Sequence, residues 1–332
     1  MPRLATYNVE WFAKLFDGAG EPQADGGWSG RHDVTRAAQL AGLTRVFREV
    51  DADLWVIIEA PDDGPDRSTR VALETFAEAA GLRASRTLVG FANDTQQEIA
   101  LLYDPAVVTA LHDPQESRDA PRFDRDLAID LDVDARGDRV VWSKPPLEAA
   151  ITIGDHALRL IGVHAKSKAP HGARTPADVM RISISNRRKQ LAQCIWLRRR
   201  VEAHLAAGEP LIVAGDFNDG PGLDEYEELF GRSGVEIVMG EGVQALFDPH
   251  ARAALVSRFA TPTTARFWLS HEERYLQALL DYVMVSPDLR ARDPRWRIWH
   301  PFDDPQCFRD AGLRQALLDA SDHFPVSMDI AL

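Results

Sequence analysis

"LIVAGDFNDGPG", residues 211–222, runs four apolar residues straight into Asp216, Asn218, Asp219 and three glycines. An apolar run bounded by turn signals reads as an interior strand, so its polar cluster lies where the strand emerges from the sheet. Functional groups are often placed at such strand ends. Taken alone, the stretch reads equally well as a turn capped by Asp and Asn side chains. The other strands decide between the two.

Comparable apolar, β-branched runs recur at "RLATYNV", "LWVIIE", "EIALLY", "LAIDLDV", "EAAITI", "LRLIGVH", "LDYVMVS" and "FPVSMDI", alternating unevenly with helical patterns. Helices are predicted over 31–50, 67–80, 176–207, 223–231 and 311–320. The third carries Ile184, Leu191, Ile195 and Val201 on one face and Arg188, Lys189, Arg199 and Arg200 on the other flank. "DPRWRIWHPFDDPQC" is a Pro- and Trp-rich excursion whose Trp296, Trp299 and Phe302 read as packing, with base stacking as the alternative. No repeat, low-complexity tract or linker divides the chain. Residues 1–332 are expected to form one domain.

With 45% hydrophobic and 27% charged residues in 332, the composition is that of an ordinary globular chain. Two cysteines, Cys194 and Cys307, are too few for a disulfide framework or a thiolate metal site, which fits a reducing compartment. No cationic and apolar signal region opens the sequence and no window reaches the length of a membrane span, so a cytoplasmic protein without membrane contact is expected. The net charge of −13 excludes a generally cationic nucleic-acid coat. The charge is uneven, however. Residues 164–200 hold ten Lys and Arg against the single acid Asp178.

Several strands end as the first one does. Asn8 follows an apolar start, Glu59 closes "LWVIIE", His164 closes "LRLIGVH", Asp281 opens "DYVMV", and Asp322 and His323 stand at the mouth of the last strand. Each alone has a mundane account: a solvated glutamate, a histidine satisfying a local hydrogen bond. Together, carboxylates, imidazoles and side-chain amides at strand ends make a set suited to a hard cation and a phosphate.

The ordered set "TYNVEWF", "VIIEA", "QEIALLY", "GVHAKSK", "AGDFND", "LDYVMVS" and "SDHFPV" resembles the endonuclease/exonuclease/phosphatase superfamily with the deoxyribonuclease-I-like fold, over residues 4–330. The resemblance implies an α+β, four-layer sandwich: two packed mixed β-sheets flanked by helices, with the active centre at one end. It further implies that Glu59 binds metal with Asn8 and Asp322 close to the same cation. Asp216 would orient or deprotonate the attacking water and Asn218 would hold the phosphate. His164 and His323 would flank the scissile phosphate, oriented by Glu98 and Asp281. A carboxylate on one ring nitrogen fixes the tautomer and raises basicity, leaving the other nitrogen for a phosphoryl oxygen or leaving group. The implied cofactor is Mg²⁺, with Mn²⁺ as a substitute. The sequence leaves open which histidine is the acid and how many ions bind.

His164 resembles the deoxyribonuclease I arrangement, where abasic-site endonucleases have tyrosine, and "HAKSK" is similar to the "HLKSK" of bacterial nuclease-like members. The inositol-phosphatase signature "WxGDxNxR" is absent. Lys166, Lys168 and Arg174 are expected to bind substrate phosphates. The leading expectation is a Mg²⁺-dependent phosphodiester hydrolase, an endonuclease with DNA or RNA as its partner and no obligate protein partner. The alternative is a phosphatase or phosphodiesterase for a small metabolite or lipid headgroup. A catalytically silent binding module would have no need of both His/acid pairs.

Overall fold

The computed structural model describes residues 1–95, 97–129, 138–170, 172–222, 230–256, 261–269 and 273–332. β1 (Arg3–Asn8), β2 (Leu54–Ala60), β3 (Arg86–Val89), β4 (Glu98–Tyr103), β14 (Arg295–Ile298) and β15 (Val326–Asp329) form one sheet in the order β14-β15-β1-β2-β4-β3. β5 (Val108–His112), β8 (Leu147–Ile153), β9 (His156–His164), β10 (Leu211–Asp216) and β13 (Asp281–Val285) form the second, in the order β13-β10-β9-β8-β5. Both are mixed: β1 pairs parallel with β2 and β9 with β10, while the other pairings are antiparallel. Two antiparallel strand pairs stand apart, β6 (Asp126–Ile129) with β7 (Asp138–Val141) and β11 (Ala265–Leu269) with β12 (Arg274–Ala278).

The central strands read as continuous apolar runs because both of their faces are covered. In β2, Trp55 and Ile57 face α1 (Arg36–Val50), α2 (Thr69–Ala79) and α8 (Ala311–Ala320), whereas Leu54, Val56 and Ile58 face the second sheet. In β10, Leu211 and Val213 pack with Trp196, Leu197 and Val201 of α3 (Pro176–Ala206) and with α4 (Gly234–Met239), and Ile212 and Ala214 turn inward. The order is helices, sheet, sheet, helices. This is the expected four-layer α+β sandwich. Where the sheets come nearest, Gly162 of β9 is needed: a Cβ there would lie 2.9 Å from Ile99 Cγ2 and 3.1 Å from Val56 Cγ1.

The first predicted helix begins later than its pattern, at Arg36, because Thr35 caps it by accepting from Ala38 N. The helix expected at 223–231 falls largely on 223–229, outside the described residues, as do residues 130–133 of "LAIDLDV". On α3 the cationic flank is not uniformly solvated. Arg187 and Arg200 are fully buried, and Arg200 donates to Gln115 O and Ala120 O of the segment that covers this side of the helix. Trp299 is buried, and Trp296 packs into the inter-sheet core while donating to Val283 O, so both serve packing. Among the described residues, no helix is long and apolar enough to cross a membrane.

Candidate active site

The opening stretch supplies the centre of the site through strand register. Asp216, the last residue of β10, lies opposite His164 of β9 on one side and Asp281 of β13 on the other, so three chemical groups stand in one row across three strands. Gly215 permits this row. Its φ of 142° and the 2.0 Å at which a Cβ would meet Val163 O exclude any side chain there. Asn218 then adopts φ 49°, a left-handed conformation that Asn tolerates, and curls its amide back: its backbone N donates to Asp216 Oδ1 at 2.7 Å and its Nδ2 to Asp216 Oδ2 at 3.1 Å.

The first sheet faces this row from its own strand ends. Asn8 Nδ2 donates to Asp216 Oδ2 at 3.0 Å. Glu59 sits at a register shift between Ile58 and Ala60 with φ 60°, a bulge that re-aims its carboxylate toward the site. It accepts from Gln97 Nε2 at 2.7 Å and lies 3.9 Å from His164 Nε2. His323 closes the ring of groups: its Nδ1 bonds Asp281 Oδ2 at 2.7 Å, and that carboxylate also accepts from Thr264 Oγ1 at 2.7 Å. Ser321 ties the two ends of the chain here, donating from Oγ to Asn8 O at 2.7 Å and accepting from His323 N at 3.1 Å.

The two histidines are held in opposite states. Burial, with the Lys144 ammonium 3.2 Å from each ring nitrogen, keeps His164 well below the ordinary imidazole range. Burial also pulls on His323, but the Asp281 carboxylate, joined by Asp216 and Asp322, overcomes it and lifts His323 well above that range. Environments that push paired groups apart separate an acid from a neutral partner. Burial raises Asp216 to about 7, against the nearby His323, and Glu59 and Glu10 rise for the same reason, Glu10 to about 8.

Not every expected residue arrives as expected. Glu98 makes no hydrogen bond to His164; its carboxylate accepts from Asn93 Nδ2 at 2.8 Å, because β4 delivers it to its own preceding turn. Lys168 does not face open solvent. Its Nζ lies 2.7 Å from Oδ1 of buried Asp219, whose other oxygen binds Arg187 Nη1 at 2.6 Å. Lys166 and Arg174 stay at the surface of the loop after His164, Arg174 exposed. The site also holds groups that strand-end reasoning passed over: Lys144, Glu10 with its partner Arg31 at 2.5 Å, Thr264 and Gln97. Lys144 was within reach of such reasoning, since β8 runs antiparallel to β9 and the residues entering β8 lie beside the end of β9.

Two oxygens at the junction of the sheets, Asn8 Oδ1 and Asp322 Oδ1, are buried with no hydrogen-bond partner among the described residues. Beside the Glu59 carboxylate they form an all-oxygen donor set that fits a hard divalent cation. A second grouping, Asp216, Asp281 and His323, brings one ligand atom from each to within 4.8 Å of the others; there His323 Nδ1 is bonded to Asp281 Oδ2, while Asp281 Oδ1 is also buried without a partner among the described residues.

The model of the Endonuclease/Exonuclease/phosphatase family matches residues 5–323. The chain belongs to this family. It is accordingly a phosphoester hydrolase by descent. Among solved structures, a Bacteroides thetaiotaomicron mannosyl-6-phosphatase aligns over 100% of both chains with 14% identity and a TM-score of 0.53. Danio rerio TDP2, in complex with a single-strand DNA product, aligns over 100% of this chain and 99% of its own with 13% identity and a TM-score of 0.52. Truncated Caenorhabditis elegans TDP2 covers 99% of this chain and 98% of its own at 13% identity and a TM-score of 0.50. At such identities the likeness is one of fold. No curated protein matches the chain in sequence.

Proposed function

We propose that this family member is a Mg²⁺-dependent phosphodiesterase that cleaves DNA or RNA internally by in-line attack of water, with residues 1–332 acting as one domain. The observation that carries the reading is the row His164–Asp216–Asp281 with His323 hydrogen-bonded to its end. Asp216, held by Asn8 and Asn218, presents a carboxylate near neutrality that can take a proton from water. Asn218, whose Nδ2 donates to Asp216 Oδ2 and to Ala165 O, would exchange one of these bonds for a phosphoryl oxygen. His323, charged and fixed by Asp281, donates a proton to the oxygen on which charge develops, and the neutral His164 with Lys144 steadies the phosphoryl group. Glu59, with Asn8 and Asp322, would hold the divalent ion, whose part is to polarise a phosphoryl oxygen as a Lewis acid. Lys166 and Arg174 would contact neighbouring phosphates. The buried free thiols Cys194 and Cys307 fit a reducing, cytoplasmic setting.

A second reading has its own support. A cavity of about 350 Å³ adjoins Glu59, lined by Trp11, Phe16, Lys14 and Arg67 among others. A pocket of aromatic and cationic walls suits a small phosphoester. Incubation with Mg²⁺ or Mn²⁺ against plasmid, single-stranded DNA, RNA and a panel of small phosphomonoesters and diesters separates the two. Metal-dependent cleavage of nucleic acid in preference to the panel is expected. Turnover confined to a small ester would replace the nuclease reading with the second one, and turnover surviving exhaustive chelation would overturn both.

A further inference from the structure

Beyond the catalytic row, on the flank of the second sheet, lies a cavity of about 650 Å³ between β7 and the first half of α3. Its wall includes Arg139, Lys166, Arg181, Arg188 and Lys189, and none of its described lining residues is acidic. On α3 the charges recur with helical spacing: Arg181, Ser185 and Lys189 stand four apart on one face, with Arg188 beside them. Arg139 answers them from β7. Arg181 and Arg139 have exposed carboxylate neighbours, Asp178 at 3.3 Å and Asp126 at 2.9 Å, pairs that cost little to exchange for another anion.

The cavity is lined by close sequence neighbours of two residues of the candidate centre. Ser143 lines it and immediately precedes Lys144; Lys166 lines it and stands two residues after His164. The ammonium groups act on one another in sequence. Burial lowers the proton affinity of Lys166 and Lys189 adds to it; burial also lowers that of Lys144, against the Glu59 and Asp216 carboxylates, and Lys166 adds to it. A file of cations gathered on one wall of a chain of net charge −13 suits an anion, which would exchange with the carboxylates beside Arg181 and Arg139. A monoester at the catalytic row would reach Lys144 and leave Arg181 and Lys189 unused. Only a substrate with further phosphates would extend along the file.

We propose that this cleft is a backbone-binding track for single-stranded nucleic acid, receiving phosphates on one side of the scissile bond. The proposal rests on the nuclease reading for its substrate class. A single strand fits better than a duplex because the acidic remainder of the surface repels the second strand.

The test measures binding and turnover separately. In chelator, a labelled single-stranded oligonucleotide is titrated with wild-type protein and with the double variant Arg181→Ala/Lys189→Ala, both positions being exposed. The expected result is at least a tenfold weaker Kd and a salt slope shallower by about 0.7 for each phosphate that the variant no longer neutralises. The swap Arg181→Lys/Lys189→Arg should restore binding. Hydrolysis of bis-p-nitrophenyl phosphate by the double variant should match wild type, which also shows that it folds. Unchanged Kd and slope in the double variant, or no oligonucleotide binding by wild type, would overturn the track. If wild type binds through Arg181 and Lys189 yet cleaves no nucleic acid with metal present, the nuclease reading fails while the track stands. If wild type cleaves nucleic acid and the variant binds like it, the track fails and the reading stands.

Discussion

His323 and Asp281 are joined by a 2.7 Å bond inside a buried setting, with Thr264 on the same carboxylate oxygen. Residues coupled this closely act as one unit. His323→Ala is expected to lower turnover on the order of 10²–10⁴-fold, the range for a lost acid or base. Adding Asp281→Ala to that variant should cost little more, and additive losses in a kinetic double-mutant cycle would show that Asp281 does not work through His323. Glu98 offers a different readout. It is buried, and burial holds its carboxyl up to about 7. A raised carboxyl pKa contributes stability that is present below the unfolded value, near 4.5, and is lost as pH rises through the folded value near 7. Glu98→Gln cannot ionise. Its melting temperature relative to wild type should therefore climb between pH 5 and pH 8; a pH-independent difference would show that Glu98 does not titrate in this range.

At the scale of elements, the loop after β10 is moored at Asp219. Asp219 takes Lys168 from the loop after β9, Arg187 from α3 and the backbone N of Gly234 at the start of α4. Removing one partner of a buried charge network leaves the others uncompensated, at a cost of about 3–5 kcal/mol. Asp219→Ala should destabilise by that amount in urea unfolding, and a change under about 1 kcal/mol would show that the cations find other anions. This network also marks what the sequence could and could not disclose. The strands carrying Asn8, Glu59, His164 and Asp216 were legible because central strands with two covered faces must be apolar throughout, and β13 with Asp281, though at an edge, because every one of its residues is buried. β3, β5 and β14 were not, since each lies at a sheet edge and mixes polar with apolar residues. Lys168 looked like a phosphate ligand because its position past His164 is visible in sequence, whereas its burial against Asp219, fifty-one residues on, is not. Lys144 and Thr264 went unseen for a related reason: what brings them to the site is the pairing of β8 with β9 and a side-chain bond to Asp281, which sequence position alone does not display.

For the molecule as a whole, the site is an interface between two sheets that each contribute half of it. Glu59 of β2, Asn8 of β1 and Asp322 before β15 all stand at the first sheet's edge of that seam, where Asn8 Oδ1 and Asp322 Oδ1 lack hydrogen-bond partners among the described residues, so a bound cation should hold these three segments together. Mg²⁺ is expected to raise the melting temperature of wild type, with a gain of about 2.7 kcal/mol when its concentration is a hundred times Kd. Glu59→Gln should abolish most of that gain, and an equal gain in the variant would place the ion elsewhere. The same seam governs when activity can arise during synthesis. Asn8 meets Asp216, 208 residues later, and its carbonyl meets Ser321, 313 residues later. β15 must slot in beside β1, between it and β14. On a ribosome the nascent chain thus presents Asn8 long before its partners and is expected to stay inert until the segment carrying Ser321, Asp322 and His323 has emerged. A cell making this hydrolase is shielded from half-built, active copies by topology alone.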